Sequence, residues 1–229
     1  MRFNPYSFSK ISTHLQCPKK FQFCYIDKVK IPYKHNEALV KGSAVHSILE
    51  YFPEKSLHKY AEKYFDVAET YLKSPSGWEL INKNAMKEFD LAFDSDFNLV
   101  DYKDKSAMFR GSVDRVIIEG NTLTLVDFKT GKFKDDYSTY GQTYEQLMYY
   151  SIWFFLRFPE VSEIKISYVY IEHPQNEPNT RTLLRENLDE IKFNLISNIY
   201  NIEKDEEFKK KTGPLCNYCD YQEHCNLNP

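Results

Sequence analysis

Two strand-like segments joined by a tight turn constrain this chain more than any other feature of its sequence. Residues 108–118 and 122–129 are rich in Val, Ile, Leu and Thr, which favour strands. Gly120-Asn121 between them is typical of a two-residue hairpin turn, because both residue types tolerate a left-handed backbone. With these two residues as the turn, the numbers of paired positions sum to 241. That register places two aspartates opposite each other.

The opposed aspartates are Asp114 and Asp127, and they need a compensating positive charge. Facing side chains in a hairpin have Cβ atoms about 4.5–5.5 Å apart, so two carboxylates there repel each other. A divalent cation is the direct solution, since carboxylate oxygens suit Mg²⁺ or Mn²⁺. Lys129 shares a strand face with Asp127, and Phe128 points the other way. The alternative is a salt-bridge cluster on a solvated sheet face.

The rest of the chain carries helical and strand-like patterns in an order typical of an α/β fold with a mixed sheet. At 229 residues we expect a single domain, with a mainly helical part (1–95), a central core (96–185) and a C-terminal helix and cysteine tail (186–229). A helix is predicted over 7–26, with a second piece beginning at Pro18, and another over 43–52 with Ser43 as N-cap. Further helices are predicted over 55–73, 78–94, 140–158 and 187–207. Besides the hairpin, strands are predicted over 98–104, 163–172 and 180–186.

Charge and hydropathy narrow the class of partner. The formal net charge of −3 argues mildly against a protein that coats nucleic acid. Residues 1–35 nevertheless carry seven lysines and arginines against a single aspartate. Such a basic patch can bind phosphates, and the alternative is an ordinary solvated face. The apolar run 152–156 is too short to span a bilayer, and the first residues lack a secretory pattern, so we expect a cytoplasmic protein without a membrane partner.

Five cysteines in a chain expected in a reducing compartment indicate ligands or core thiols rather than disulfides. Cys216, Cys219 and Cys225 crowd a short polar tail that is too small for a core of its own, and Cys17 is the candidate fourth ligand. Four thiolates suit a structural zinc ion and also suit an iron–sulfur cluster, and the spacing does not separate the two. Cys24 is left over and is expected to be a packed thiol.

The hairpin resembles a known nuclease motif. Asp114 followed by Asp127-Phe-Lys129-Thr-Gly is similar to the PD-(D/E)XK nuclease superfamily, above all to its RecB-like branch, in which an aspartate on one strand precedes D-[YF]-K-T-G on the next. The acidic pair is Asp…Asp here, where other PD-(D/E)XK enzymes have a glutamate. Three further elements stand in the order of that branch: S-x-S…C-P-x-[KR]-F within residues 7–23, Gly-x-x-x-His ending at His46, and Gln-x-x-x-Tyr from Gln146 to Tyr150.

The resemblance implies a restriction-endonuclease-like core with helices around a mixed sheet. It implies Mg²⁺ or Mn²⁺ as the catalytic cation, and an imidazole ligand would favour Mn²⁺ somewhat. Members of the branch hold a [4Fe–4S] cluster with one N-terminal and three C-terminal cysteines, which implies iron–sulfur in preference to zinc and a cluster that joins the N-terminal helices to the tail. The implied metal ligands are His46, Asp114, Asp127 and the carbonyl of Phe128, the implied catalytic residues are Asp114, Asp127, Lys129, Gln146 and Tyr150, and the implied cluster ligands are Cys17, Cys216, Cys219 and Cys225.

On this resemblance we expect a metal-dependent DNA exonuclease that acts on single-stranded ends in the 5′ to 3′ direction. A free-standing chain of this size with four such cysteines looks most like CRISPR-associated exonucleases that process DNA before spacer capture, with CRISPR adaptation proteins as partners. A phage or bacterial recombination or repair nuclease of the same branch is the nearest alternative. A non-catalytic iron–sulfur subunit that binds DNA ends is the alternative of another class. The chain has no Walker motif and so is not itself a helicase.

Overall fold

A five-stranded mixed sheet forms the centre of the protein, and the computed structural model describes residues 3–31, 36–133 and 144–227. The strands are β1 (Ala85–Phe93), β2 (Phe109–Glu119), β3 (Thr122–Lys129), β4 (Glu163–Tyr170) and β5 (Asn179–Leu184). They lie in chain order across the sheet, with β3 and β4 parallel and the other neighbours antiparallel. A parallel pair needs a long crossover, and a helix lies between β3 and β4 in the sequence.

Helices cover both faces of this sheet. They are α1 (Phe8–Gln16), α2 (Pro18–Phe21), which runs on into a π-helical turn (Gln22–Ile26), α3 (Glu37–Tyr51), α4 (Phe65–Leu72), α5 (Pro75–Asn82), α6 (Glu145–Arg157), α7 (Leu188–Lys204) and α8 (Gln222–Leu227). The first residues of the helix predicted over 140–158 lie outside the described part of the chain. Within the described part, each helix is too short or too polar to traverse a lipid bilayer.

The sheet separates two apolar clusters. Residues of α1, α6 and α7 pack on one face, and residues of α3, α4 and α5 pack on the other. On β3, Leu123 and Leu125 belong to the first cluster, whereas Val126 and Phe128 belong to the second. Both faces of β3 are therefore buried, which explains its almost continuous apolar sequence.

The predicted hairpin register is correct. β2 and β3 pair in a ladder that begins at Glu119–Thr122, and each pair in it sums to 241. Gly120 has a φ of +62°, in the left-handed region that such a turn uses. Asp114 and Asp127 follow directly after the last pair of this ladder. The two carboxylates therefore lie at its far end, away from the turn.

The helix predicted over 78–94 is wrong in its second half. α5 ends at Asn82, and the edge strand β1 begins at Ala85. Apolar residues in this segment fit helical spacing as well as strand alternation. Antiparallel pairing with β2 decides between the two, because it satisfies the backbone groups that a helix would have satisfied locally. The sheet thus begins inside the part of the chain that was expected to be mainly helical (1–95).

The strand predicted over 98–104 is also wrong. Leu99 makes an isolated bridge to the end of β1, and the residues around it turn. Asp94 shapes the turn, since its Oδ1 accepts the backbone N–H groups of Asp96 and Asn98 at 2.9 and 2.8 Å. Such bonds from a side chain to the backbone compete with a strand ladder.

α3 begins earlier than predicted, and Ser43 is not its N-cap. The N-cap is Asn36, whose Oδ1 accepts the backbone N–H groups of Ala38 and Leu39 at 3.1 and 3.2 Å. Ser43 lies well inside the helix. In the longer helix, His46 lies in the interior instead of the first turn. Neighbouring helical turns therefore hold its backbone from both sides.

Gly111 in β2 lets the ring of Tyr150 from α6 pack directly against the strand. A Cβ at Gly111 would lie 2.2 Å from Cε1 of Tyr150, far inside contact distance. We expect Gly111→Ala to lower the free energy of unfolding in urea by about 1–3 kcal/mol, the usual cost of overpacking a core. Gly213→Ala is the control, because Gly213 has an extended φ of 175° and an added Cβ meets no described atom within 4 Å. Equal losses in the two variants would contradict this packing.

Candidate active site at the far end of the hairpin

An open cleft of about 530 Å³ lies where the far ends of β2 and β3 meet helices from both sides of the sheet. Its lining combines carboxylates, an imidazole, an amide and an ammonium with hydroxyl groups and an aromatic ring of α1. The predicted site residues that line it are His46, Asp114, Asp127, Phe128, Lys129 and Gln146.

Asp114 has a fixed orientation in this cleft. Its Oδ2 accepts a hydrogen bond from the backbone N–H of Phe128 at 2.6 Å. Its Oδ1 lies 3.3 Å from Nδ1 of His46. The neighbouring strand therefore holds one carboxylate oxygen, and the other faces the side chains that could bind a cation.

Asp127 and Lys129 form an ion pair on one face of β3. Nζ of Lys129 lies 2.6 Å from Oδ2 of Asp127, a residue that is only 6% exposed. The contact is ionic, and within the described residues this buried oxygen accepts no directional hydrogen bond. The ammonium also lies 5.0 Å from the ring centroid of Tyr168, which is within cation–π distance. These contacts hold the side chain of Lys129 beside the cleft.

Gln146 and Tyr150 lie four residues apart on α6. Gln146 contacts Lys129, and Tyr150 contacts Gln146. Nζ of Lys129 donates to Oε1 of Gln146 at 3.3 Å, and the Tyr150 hydroxyl shares a hydrogen bond with the same side chain. Burial raises the pKa of Tyr150 well above its usual value, so the phenol stays protonated. The preceding residue, Tyr149, is buried, and its hydroxyl accepts from Nδ2 of Asn198 at 2.7 Å. Gln146 thus contacts the cleft, and Tyr149 packs away from it.

His46 reaches the cleft because α3 approaches the loop after β3 closely. A Cβ at Gly42 would lie 3.3 Å from Oγ1 of Thr130, so the glycine one turn before His46 allows this approach. Lys41 holds the same helical turn in place, since its Nζ lies 2.7 Å from Oε1 of Glu172. That oxygen also accepts a backbone N–H of the loop. The Gly-x-x-x-His spacing therefore combines a close approach with a side chain that uses it.

Glu88 belongs to this site and was missed by the sequence analysis. It lies in β1, where the register on either side places it opposite Asp114. Glu88, Asp114 and His46 offer three ligand atoms that all lie within 4.8 Å of one another. The φ of Glu88 is +44°, which costs a residue with a Cβ on the order of 1–2 kcal/mol. Phe89 and Leu91 just after it alternate as in a strand, and that was the available signal.

The cluster carries more negative charge than its protein surroundings balance. Burial, with the charge of Asp114, raises the pKa of Glu88 to about 7. Burial also raises the pKa of Asp127, aided by Asp114 and opposed by Lys129. Burial alone would lower the pKa of His46, but its hydrogen bond to Asp114 and the nearby negative charges outweigh burial and raise it. A divalent cation would displace protons from these groups, so the donor set fits a metal site.

A second site lies between the N-terminal helices and the tail. Cys17, Cys216, Cys219 and Cys225 line one cavity of about 260 Å³, together with several lysines. Sγ of Cys17 accepts the backbone N–H of Lys211 at 3.5 Å, and the thiol of Cys216 donates to the carbonyl of the same residue at 3.8 Å. The fold therefore brings together cysteines from opposite ends of the sequence, beside positive charge that suits thiolates.

The spacing of these sulfurs bears on what the cavity can hold. Within the described residues, no three of the four sulfurs lie within 4.8 Å of one another. A tetrahedral zinc ion with Zn–S bonds of about 2.3 Å would hold them about 3.8 Å apart. The thiols would therefore have to move closer together to share one zinc ion. Cys24 lies instead against Tyr221, whose hydroxyl shares a hydrogen bond with its thiol.

Direct contacts also hold the N-terminal segment to the C-terminal part of the chain. Nε2 of His14 lies 2.8 Å from Oδ2 of Asp205, and the hydroxyl of Tyr6 donates to Oε1 of Glu203 at 2.8 Å. Both pairs join residues near the start of the chain to the end of α7. The cysteine cavity therefore lies between two parts of the chain that direct contacts already hold together.

Comparison with known proteins bears on the family and the fold. A family model for the PD-(D/E)XK nuclease superfamily matches residues 5–226. No curated protein matches the chain. A solved structure from Eubacterium rectale, provisionally assigned as an exonuclease, is 14% identical with a TM-score of 0.51, and the match covers 92% of this chain and 86% of that one. The solved structure of SSO0001 is 14% identical over 95% of this chain and 92% of that one, with a TM-score of 0.35. At this identity, the likeness to the first of the two shows a shared fold.

The raised pKa values of Glu88 and His46 predict that the stability of the metal-free protein depends on pH. The pKa of Glu88 is about 7 in the folded protein and 4.5 ordinarily. Glu88 therefore contributes fully to stability below pH 4.5, and this contribution is lost as pH rises through about 7. The raised pKa of His46 acts in the same direction. With EDTA present, we expect Tm to fall by about 2–4 °C from about pH 5.5 to about pH 7.5, the effect of roughly 1 kcal/mol in a domain of this size.

Two comparisons separate this effect from general titration. Glu88→Gln should flatten the dependence, because the amide does not titrate. Mn²⁺ should raise Tm more at about pH 7.5 than at about pH 5.5, since fewer protons must then be displaced. A Tm that rises across this range in the metal-free protein would show that the carboxylates are not crowded.

Proposed function

This chain belongs to the PD-(D/E)XK nuclease superfamily, and on that premise we propose that it is a divalent-metal-dependent deoxyribonuclease that shortens single-stranded DNA from its ends in the 5′ to 3′ direction. The convergence of His46, Asp114, Asp127 and Lys129 in one open cleft is the observation that supports this function most. A phosphodiester brings negative charge, and such a cleft can meet it with a bound cation and an ammonium group.

The cation site uses oxygen ligands and one imidazole. We assign His46, Asp114, Asp127 and the carbonyl of Phe128 as ligands of Mg²⁺ or Mn²⁺, a mixed set that favours Mn²⁺ somewhat. The bound cation supplies Lewis acidity to a phosphoryl oxygen and lowers the pKa of the water that attacks phosphorus. Asp114 contributes Oδ1, since its Oδ2 is held by a backbone N–H.

Lys129 acts on the substrate phosphate and on the attacking water. Asp127 and Gln146 hold its ammonium group from two sides, so its charge is in place before negative charge grows on the phosphate. An ammonium positioned in this way stabilises the transition state more than the ground state. Gln146 positions Lys129, and Tyr150 positions Gln146.

Single-stranded DNA suits the surroundings of this cleft. Phe8 of α1 lines the cleft beside the catalytic residues, where its ring can stack on an unpaired base. The basic N-terminal segment, which includes Lys19 and Lys20, can contact the phosphates that follow. Stacking and phosphate contact are both independent of base sequence, as an enzyme that shortens a strand requires.

We place this reaction in the cytoplasm, in CRISPR spacer acquisition, with adaptation proteins as partners. The motif set of the RecB-like branch supports this context, and a phage or bacterial recombination or repair role is the alternative. A non-catalytic subunit that only binds DNA ends would have no use for a lysine held between a buried carboxylate and a glutamine. The contacts of Lys129 therefore favour an active enzyme.

At the cysteine cavity we propose a [4Fe–4S] cluster held by Cys17, Cys216, Cys219 and Cys225. The four thiols line one cavity, and they lie farther apart than the ligands of a zinc ion, which supports the larger group. The neighbouring lysines offset the negative charge of thiolate-bound iron. The cluster binds no residue of the cation site, so we assign it a structural role in the tail.

Replacement of a carboxylate ligand tests the nuclease. Asp114→Asn keeps an oxygen that can accept the Phe128 N–H, so the fold should survive. Cleavage of end-labelled single-stranded DNA with Mn²⁺ should fall about 10²-fold or more, the scale of losing one group that stabilises developing charge. Lys129→Ala should lower turnover by a similar factor and leave Mn²⁺ binding intact, because Lys129 is not a ligand.

The matched control is Asp101→Asn, which changes an exposed aspartate that is not part of the cleft lining. Full activity in Asp114→Asn, or cleavage by the wild type in EDTA, would refute the metal-dependent nuclease. Substrates labelled at either end, single- or double-stranded, measure direction and strand preference. Cleavage of circular single-stranded DNA would refute the requirement for an end.

Absorbance and colour test the cluster. Protein purified without oxygen should be brown and absorb broadly near ~400 nm, as thiolate-bound iron does. Cys17→Ser or Cys219→Ser should bleach it, and Cys24→Ser should not, because Cys24 lies against Tyr221 instead. Colourless protein with one equivalent of zinc would overturn the cluster and leave the nuclease standing.

A further inference from the structure

We propose that Glu88 is a further ligand of the active-site cation, which it binds together with His46 and Asp114. This inference rests on the proposed function, since it concerns the same cation. It differs from the motif-based ligand set, which contains no residue of β1. The residue lies at the centre of an edge strand, where no nuclease motif was recognised in the sequence.

The distances among the three side chains fit a single small cation. Their ligand atoms all lie within 4.8 Å of one another, and Nδ1 of His46 lies 3.3 Å from Oδ1 of Asp114. Octahedral Mg²⁺ or Mn²⁺ with bonds of about 2.1 Å places adjacent ligands about 3.0 Å apart and opposite ligands about 4.2 Å apart. The three groups thus need only small side-chain movements to share one ion.

Glu88 adds negative charge to the ligands that the motif assigns. Asp127 and Lys129 neutralise each other as an ion pair at 2.6 Å. Neutral His46 adds no charge, and the guanidinium of Arg115 also lies near Asp114 and Glu88. The carboxylate of Glu88 adds a second negative charge beside Asp114, which favours a divalent cation in a partly buried site.

Glu88 lies beside the substrate cleft and does not line it. It lines a neighbouring open cleft of about 650 Å³, and His46 lines both this cleft and the one that holds Asp114 and Asp127. A ligand there would leave the side of the cleft that holds Lys129 to the phosphate and the attacking water. The backbone of Glu88 adopts a φ of +44°, which glycine would adopt more easily, and binding of its carboxylate to a cation offsets that strain.

The test measures Mn²⁺ binding by the full-length protein without DNA, by isothermal titration calorimetry and by electron paramagnetic resonance. Glu88→Gln should weaken Mn²⁺ binding at least 10-fold, because the amide keeps the shape and loses the charge. Glu50→Gln is the matched control: Glu50 lines the same cleft but is outside the ligand group, so Mn²⁺ affinity should stay within about twofold.

Glu88→Gly separates loss of a ligand from loss of the fold. Glycine relieves the left-handed backbone, so the metal-free variant should unfold at the wild-type temperature or above it and still bind Mn²⁺ at least 10-fold more weakly. Wild-type Mn²⁺ affinity in Glu88→Gln, or equal losses in Glu88→Gln and Glu50→Gln, would overturn the role of Glu88. The proposed nuclease fails by a different result, namely a wild type that binds no Mn²⁺ or an Asp114→Asn variant that cleaves DNA normally.

Discussion

Repulsion among Asp114, Asp127 and Glu88 is the constraint around which this structure is arranged. Like charges on neighbouring strands push those strands apart, yet β1, β2 and β3 hold all three together where the β2–β3 ladder ends. Lys129 compensates on one side. Burial lowers the pKa of the nearly inaccessible Arg115, and the nearby Tyr71, Asp114 and Glu88 oppose that lowering. The remaining negative charge is what a divalent cation neutralises, so metal binding and stability are coupled here.

Two glycines allow helices from opposite faces of the sheet to reach these carboxylates. Gly42 lies in α3 and permits contact with Thr130 of the loop after β3, which brings the imidazole of the same helix to the cleft. Gly111 lies in β2 and accepts the ring of Tyr150, which seats α6 so that Gln146 meets the lysine. In each case the absence of one Cβ sets the distance between a helix and the sheet. The geometry of the proposed site therefore depends on close packing as much as on the charged groups themselves.

The sequence by itself determined the hairpin and part of the cation site. Gly120 and Asn121 are suited to a two-residue turn, and that turn specifies which residues of the two strands pair. Alternation along β3 then places Asp127 and Lys129 on one face, since side chains of a strand point alternately to its two sides. These features are local, because each depends only on residues a few positions apart. The structure confirms the register and places Asp127 and Lys129 in contact on one face.

Tertiary structure alone decided the rest of the site. Residues 85–93 fit a helix or a strand by their pattern, and pairing with β2 selected the strand and placed Glu88 opposite Asp114. The contact between His46 and Asp114 joins residues far apart in the chain, and it exists because α3 packs through Gly42 on the loop after β3. A local sequence pattern cannot predict this contact, because the contact depends on how whole helices and strands pack against one another. Local pattern chose the strands and turns, and long-range packing brought their charges to one place.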